Sequence, residues 1–376
     1  MERDRGASGT TRADDGPAVI KGRGSANLSQ SRFIQARSVE VDDGWGLDPR
    51  EGQPERQTTL LVDRTKKLIT TNRSPDISFN QSINPYKGCE HGCIYCFARP
   101  SHAYLDLSPG LDFETRIFRK SNPREHLLTE LSRPKYACSV IAMGTNTDPY
   151  QPFERTARVT REILETLLSC KHPVSIVTKS QLILRDLDLL QALAADNLIH
   201  VHMSVTTLDR HLKTKLEPRT ASPAARLRVI AELRAAGIPT GAMIAPVIPF
   251  INDHEIEALV DAVADAGAQV AGYILLRLPL EVAPLFEEWL LQHYPDRAQR
   301  VLNAIRDTRG GALYRSAWHT RMRGQGQIAG LIQARFNKAA KSQGLLKGRL
   351  KALDTEVFQK PNPVNKLADD PQMPLF

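Results

Sequence analysis

The chain has 376 residues, 41% of them hydrophobic, and a formal net charge of +8. That length supports a full core with appended segments. No apolar run approaches the ~20 residues that span a bilayer, residues 1–24 lack the apolar centre of a secretory signal, and five cysteines are too few for a disulfide framework, so the expectation is a soluble, cytoplasmic protein.

Residues 1–32 are rich in Gly, Ser and charge and are expected to form a disordered tail. Residues 33–75 carry scattered anchors (Phe33, Trp45, Leu60 to Val62) between turn formers and read as an irregular lead-in. A regular alternation fills residues 76–282. Strands are expected over Ile77–Ile83, Ser139–Met143, Val174–Thr178, His200–Val205, Thr240–Val247 and Val270–Leu276. Helical patterns lie between them at Pro123–Ser132, Arg155–Ser169, Arg185–Ala195, Ala224–Ala236 and Asp253–Ala266. Ser222-Pro223 supplies a helix cap and first helical residue, and Gly237 and Gly267 end helices ahead of the next strand. Repeats of this length imply parallel strands joined by crossover helices. Six of them describe an α/β fold, a partial (β/α)6 barrel whose ligand site lies at the C-terminal ends of the strands.

Residues 283–353 continue as helices (Pro284–His293, Arg297–Asp307, Ile328–Ser342) and form a basic helical C-terminal extension. From Arg297 to Lys351 there are thirteen basic residues against one acid, Asp307. This predicts either a polyanionic partner or a solvated helix face. Residues 354–376 turn polar and Pro-rich and are expected to be a flexible tail, so both termini are read as disordered.

Cys89, Cys93 and Cys96 fall within eight residues directly after the first strand, in Asn84-Pro85-Tyr86-Lys87-Gly88-Cys89-Glu90-His91-Gly92-Cys93-Ile94-Tyr95-Cys96. Three thiolates on one tight loop are held more favourably by iron or zinc than by one another. A [4Fe-4S] cluster held by three cysteines keeps one iron open. The other readings are a zinc site completed by His91 or His102, and a Cys93-x-x-Cys96 redox pair. Cys138 and Cys170 read as ordinary buried cysteines.

The Cys-x3-Cys-x2-Cys spacing, the aromatic Tyr95 and the repeat behind them resemble the signature of the radical S-adenosylmethionine (SAM) superfamily. The resemblance implies three irons on Cys89, Cys93 and Cys96 and a fourth that binds SAM, whose reductive cleavage gives a 5′-deoxyadenosyl radical. The segments Gly144 to Glu154, Val177 to Ser180, Ser204 to Asp209 and Ala245 to Pro249 are similar to the branch related to spore photoproduct lyase, the DNA repair photolyase-like enzymes. That likeness spans residues 33 to 345 and implies that Tyr95, Thr145, Lys179 and Ser204 help seat SAM. A lysine at a strand end suits the SAM carboxylate, and small hydroxyl residues suit its ribose or amino group. Asp148 and Glu154 are further candidates for cofactor or substrate contact, or plain turn formers. One departure stands out: where the lyase carries a hydrogen-donating cysteine just after the second strand, this chain has Met143-Gly144. The catalytic residue is therefore not assigned, and the resemblance supplies no hydrogen donor here for a redox-neutral lyase mechanism.

The last five residues, Gln372-Met373-Pro374-Leu375-Phe376, resemble the short peptides that dock repair proteins on the bacterial sliding clamp. The reading is a radical SAM enzyme, lyase or other reaction class open, acting on nucleic acid in DNA repair. Its implied partners are DNA, the clamp, and an electron donor such as flavodoxin or ferredoxin. Two alternatives remain: the same chemistry on a small molecule or protein side chain, and a non-catalytic iron-sulfur protein bound to nucleic acid or the clamp.

Overall fold

The computed structural model describes residues 20, 22–25, 32–33, 57–346 and 350–362. Most of the expected N-terminal tail, the first part of the lead-in and the peptide Gln372 to Phe376 lie outside these residues.

The described chain opens with β1 (Thr59–Asp63), β2 (Ile69–Thr71), β3 (Gln81–Ile83) and β4 (Tyr86–Lys87). Helix α1 (Leu111–Thr115) leads into β5 (Arg116–Lys120), followed by α2 (Pro123–Leu131), β6 (Ile141–Met143), α3 (Glu154–Ala157), α4 (Val159–Ser169), β7 (Val174–Thr178) and α5 (Leu187–Ala195). Then come β8 (Ile199–Ser204), α6 (Arg210–Leu216), α7 (Pro223–Ala235), β9 (Thr240–Val247), α8 (Ile256–Asp265), β10 (Ala271–Leu275), α9 (Val282–His293), α10 (Pro295–Asp307) and α11 (Gly326–Ser342).

The main sheet has the order β10-β9-β8-β7-β6-β3-β2. Its six strands β3, β6, β7, β8, β9 and β10 are mutually parallel and follow chain order, as the partial barrel requires. β2 adds antiparallel to β3 at the edge, and a separate three-stranded sheet, β1-β5-β4, was not expected from the sequence. The strands are short apolar runs that bury alternate or successive side chains: Val174, Ile176 and Thr178 of β7 face inward, and all three residues of β6 are buried. These side chains and the inner faces of α4, α5, α7 and α8 make one continuous core.

Local chemistry sets the boundaries. Ser222 caps α7 by accepting from the Ala225 amide at 3.3 Å, with Pro223 at the first helical position. The expected helix Arg155–Ser169 is instead two helices broken at Arg158, whose φ of 51° interrupts the turn.

The open side of the barrel is crossed by a strap, residues 308–325, between α10 and α11. At one edge Met322 accepts from the Leu275 amide of β10 at 2.9 Å, and buried Arg309 donates to the carbonyls of Leu276, Thr320 and Arg321. The same stretch also reaches the opposite edge, where Asp76, in the β2–β3 connection, takes the His319 amide at 2.6 Å and pairs with Arg321 at 2.5 Å. The strap therefore links the two outer edges of the sheet. Three of the thirteen basic residues are thereby explained internally, since Arg309 and Arg321 hold the strap and Arg335 binds Glu257 of α8.

Residues 350–362, which include the start of the expected flexible tail, lie across the N-terminal ends of the strands. Asp354 and Gln359 donate backbone bonds to the carbonyls of Asn197 and Cys170, and Lys360 reaches the Pro134 carbonyl at 3.2 Å. Phe358 packs edge-on against His172 and beside Tyr136. This end is the foot of the barrel and the opposite end its mouth.

Candidate active site

The cysteine loop leaves β4 at the mouth. Its turns need glycine at two places: Gly88 and Gly92 have φ of 78° and 67°, and a Cβ on Gly92 would stand 2.8 Å from the Glu114 carboxylate. The loop is organised by a fully buried ion pair. Arg99 donates to the Cys93, Pro109 and Gly110 carbonyls at 3.0, 3.1 and 3.0 Å and meets Glu114 at 2.5 Å. Glu114 also accepts from the amides of Gly24 and Ser25, at 3.0 Å each. Residues 22–25, inside the tail expected to lack structure, are thus seated on the cysteine loop. Gly24 lies so close that an added Cβ would fall 1.8 Å from the Gly92 carbonyl oxygen.

All three thiols are desolvated, and burial is the main cause raising the pKa of each above the ordinary thiol value. Cys89 feels the charges of both Cys93 and Cys96. Yet among the described residues no three His, Cys, Asp or Glu side chains converge on a single ion. Thiolates gripping one zinc at the Zn–S bond length would stand about 3.8 Å apart, whereas cysteines of a cluster each hold a different iron. Each of the two candidate fourth zinc ligands has one ring nitrogen engaged, and His102 Nδ1 is buried without a partner among the described residues. His91 Nδ1 lies 3.3 Å from Asp148, and His102 Nε2 is 3.0 Å from the Arg116 carbonyl. Three desolvated thiols on one loop fit a cluster held by three cysteines.

Behind the loop, the ends of β7, β8 and β9 bring three of the four expected SAM-seating residues together. Lys179 Nζ donates to Ser204 Oγ at 2.7 Å and to the Ala245 carbonyl at 3.3 Å, and stands 5.8 Å above the Tyr95 ring. Thr145 is not joined to them: it is half-buried in the loop after β6 and makes no side-chain hydrogen bond to a described residue.

The centre of this group is Glu217, which the sequence reading missed. Its buried carboxylate accepts from the Tyr95 hydroxyl and from Thr206 at 2.6 Å, binds the Arg226 guanidinium, and pairs with Lys179 at 3.2 Å. Burial alone would raise its pKa, but Arg226 and Lys179 outweigh that and hold it well below the usual carboxylate range. The same carboxylate, after burial itself, pushes the Tyr95 hydroxyl far up, so Tyr95 stays protonated.

Asp148 and Glu154 serve the scaffold. Asp148 takes Thr178 Oγ1 at 2.7 Å, the Lys179 amide at 2.8 Å and the Tyr150 amide at 2.9 Å, tying the β6 loop to the end of β7. Glu154 binds the Tyr86 hydroxyl, the Thr160 amide and Arg185. Directly after β6, Gly144 has φ of 82°, and a Cβ there would fall 1.9 Å from the Val177 carbonyl oxygen. The backbone packing that admits Gly144 leaves no room for a cysteine side chain. Cys138 and Cys170 precede β6 and β7 and lie toward the foot; Cys170 is buried and Cys138 half-buried.

A six-stranded partial barrel with a three-cysteine loop at its mouth and a lysine-centred polar group behind it defines the class as cofactor-binding barrel enzymes. Residues 83–263 match the family described as Radical SAM superfamily, and the chain belongs to that superfamily. It is similar to an uncharacterised protein of Mycobacterium tuberculosis (strain ATCC 25618 / H37Rv), 38% identical over 232 residues, covering 61% of this chain and 68% of that one. An uncharacterised protein of Methanocaldococcus jannaschii is 28% identical over 244 residues, covering 65% of this chain and 87% of that one. In fold it resembles spore photoproduct lyase complexed with dinucleoside spore photoproduct, with a TM-score of 0.55 at 16% identity over 77% of this chain and 80% of that one. A mutant of that lyase with bound AdoMet and dinucleoside spore photoproduct gives a TM-score of 0.53 at 15% identity, over 75% of this chain and 78% of that one. Among the described residues no helix is long and apolar enough to cross a membrane.

Proposed function

We propose that the chain is a radical SAM enzyme that holds a [4Fe-4S] cluster on Cys89, Cys93 and Cys96, seats SAM beside Tyr95, Lys179 and Ser204, and acts on nucleic acid. The observation that carries the reading is the meeting of Tyr95, Lys179 and Ser204 around Glu217, immediately behind the loop of Cys89, Cys93 and Cys96. When bound, the cluster supplies the electron that cleaves SAM to a 5′-deoxyadenosyl radical.

The chain's own residues have definable roles. Arg99 and Glu114 fix the loop backbone so that the thiols keep their separation. Glu217 holds the Lys179 ammonium at the end of β7 and neutralises part of its charge, so that a bound carboxylate meets an oriented donor with little loss of rotamer freedom. The buried Tyr95 hydroxyl is donated to Glu217, which presents the ring toward the ammonium. Support for a nucleic-acid substrate comes from the exposed Arg297, Arg300, Arg315, Arg323, Lys338 and Lys341 and from the fold shared with a lyase that binds a dinucleoside photoproduct.

The test is anaerobic reconstitution followed by dithionite reduction with SAM. The expected outcome is iron-sulfur absorption and release of 5′-deoxyadenosine, both lost in Cys93→Ala. An intact cluster that never cleaves SAM would overturn the enzymatic reading. Transfer of deuterium from labelled oligonucleotides into 5′-deoxyadenosine identifies the substrate; no transfer from any nucleic acid, with transfer from a small molecule or protein, would move the substrate class.

A further inference from the structure

We infer that Arg277, laid on the ring of Phe97 just past the end of β10, grips a phosphodiester of the substrate beside the cysteine loop. This rests on the nucleic-acid reading above and assigns the residue that receives the strand.

Arg277 lies two residues beyond Leu275, at the mouth, within electrostatic reach of Cys96. Its guanidinium carbon is 4.3 Å from the centroid of Phe97, the residue after the last cysteine. The other arginines that support this end are committed: Arg99 to Glu114, Arg226 to Glu217, Arg309 to backbone carbonyls and Arg321 to Asp76. Among the described residues, Arg277 forms neither a hydrogen bond nor an ion pair. Burial is the main influence on it and lowers its pKa; the Arg321 charge adds to that, while Tyr314, Cys96 and Asp76 act the other way without bonding to it. A half-buried cation with cationic neighbours and no bound acid is complementary to an anion that arrives from outside.

The stack decides which anion geometry fits. A guanidinium lying on an aromatic face keeps its N–H groups in the plane and free, a fork that matches two oxygens of a phosphodiester. The SAM carboxylate offers the same two-oxygen shape, but the place differs. Lys179 follows β7 and Arg277 follows β10, three strands away, about 14 Å along the sheet at normal strand spacing. The mouth thus has two cationic positions with the cysteine loop nearby, one beside Ser204 and one on Phe97. Phe97 is 41% exposed, so the position is open to a strand entering from solvent.

The experiment measures binding of a fluorescein-labelled single-stranded oligonucleotide, and separately of SAM, to the reconstituted enzyme across a salt series. For Arg277→Gln the expected result is an affinity for the oligonucleotide about tenfold lower and a plot of log K against log salt about 0.7 units shallower, the loss of one phosphate contact. Arg277→Lys keeps the charge, and its salt slope is expected to match the parent while its affinity falls between the two. Unchanged affinity and slope in Arg277→Gln would overturn the assignment, as would weakened SAM binding with the oligonucleotide unaffected, which would place the guanidinium on the cofactor. If the parent enzyme binds no oligonucleotide, the nucleic-acid reading fails first and this inference falls with it.

Discussion

The two ends of the same parallel sheet are built on opposite principles. At the mouth, charges are buried in quantity: Glu217, Arg226 and Lys179 form one network, and Arg99 and Glu114 another. At the foot, the buried contacts around His172 are neutral, and the ion pair of Lys171 with Asp196 lies at the surface. His172 sits between the Tyr136 hydroxyl, 2.7 Å from Nε2, and the Pro173 carbonyl, 3.0 Å from Nδ1, under Phe358. Burying ions is costly and seldom the most stable solution. Their concentration at one end therefore marks where stability has been exchanged for chemistry, while the foot carries the ordinary work of closing the core.

The sharpest way to break this contrast is Glu217→Gln, which keeps the shape and removes the anion facing the buried Arg226 and the half-buried Lys179. Urea unfolding should show a loss of about 3–5 kcal/mol, and SAM affinity should fall with it as Lys179 loses its anchor. The acid limb should change too. The folded pKa of Glu217 is depressed from about 4.5, so its contribution is fully present above that value and is lost as pH falls below it. The variant should lack that low-pH loss.

The foot titrates in another window. Burial lowers the pKa of His172 from 6.5 to about 4, so the unfolded chain takes a proton that the folded one refuses. Stability from this site is present above pH 6.5 and is lost as pH falls to about 4, by about 3 kcal/mol. Denaturant curves of His172→Gln at pH 7 and pH 4 should show that much less difference than the parent. Equal slopes in parent and variant would show that His172 accepts its proton in the folded state.

Gly144→Ala tests whether the mouth tolerates any side chain after β6. The left-handed backbone and the close approach to Val177 predict a cost of about 2–3 kcal/mol; a neutral result would reopen this position for a hydrogen-donating cysteine. The smallest effect is expected at the foot. Phe358→Ala should cost about 1–2 kcal/mol, less than a fully buried phenylalanine because the ring is only half-buried, and hydrogen exchange should rise in residues 350–362.

Much of the fold was legible because its central strands are apolar runs with clear ends. Val174–Thr178 and Thr240–Val247 match expectation residue for residue, since Pro173 and Pro239 precede them and buried Val, Ile and Thr fill them. The β1-β5-β4 sheet was not legible: Arg116-Ile117-Phe118-Arg119-Lys120 has too much charge to read as a strand, and its pairing is decided by distant partners. In the site, the cysteine spacing and the residues Lys179 and Ser204 could be read from local motifs. Glu217 could not, because it enters from the end of α6. The available signal was Asp209, which caps that helix by accepting from the His211 amide at 2.7 Å. Arg277 was hidden for a different reason: nothing in Leu276-Arg277-Leu278 announces an arginine without an acid, and only the tertiary arrangement shows which arginines are already occupied.

The path of residues 350–362 has a mechanical consequence. Through Lys360, which reaches the Pro134 carbonyl, and Phe358 this segment closes the end of the barrel remote from the cysteines. Cutting the chain ahead of residue 350 would strip Phe358 from His172 and uncover the foot, while leaving the ion pair that organises the cysteine loop in place.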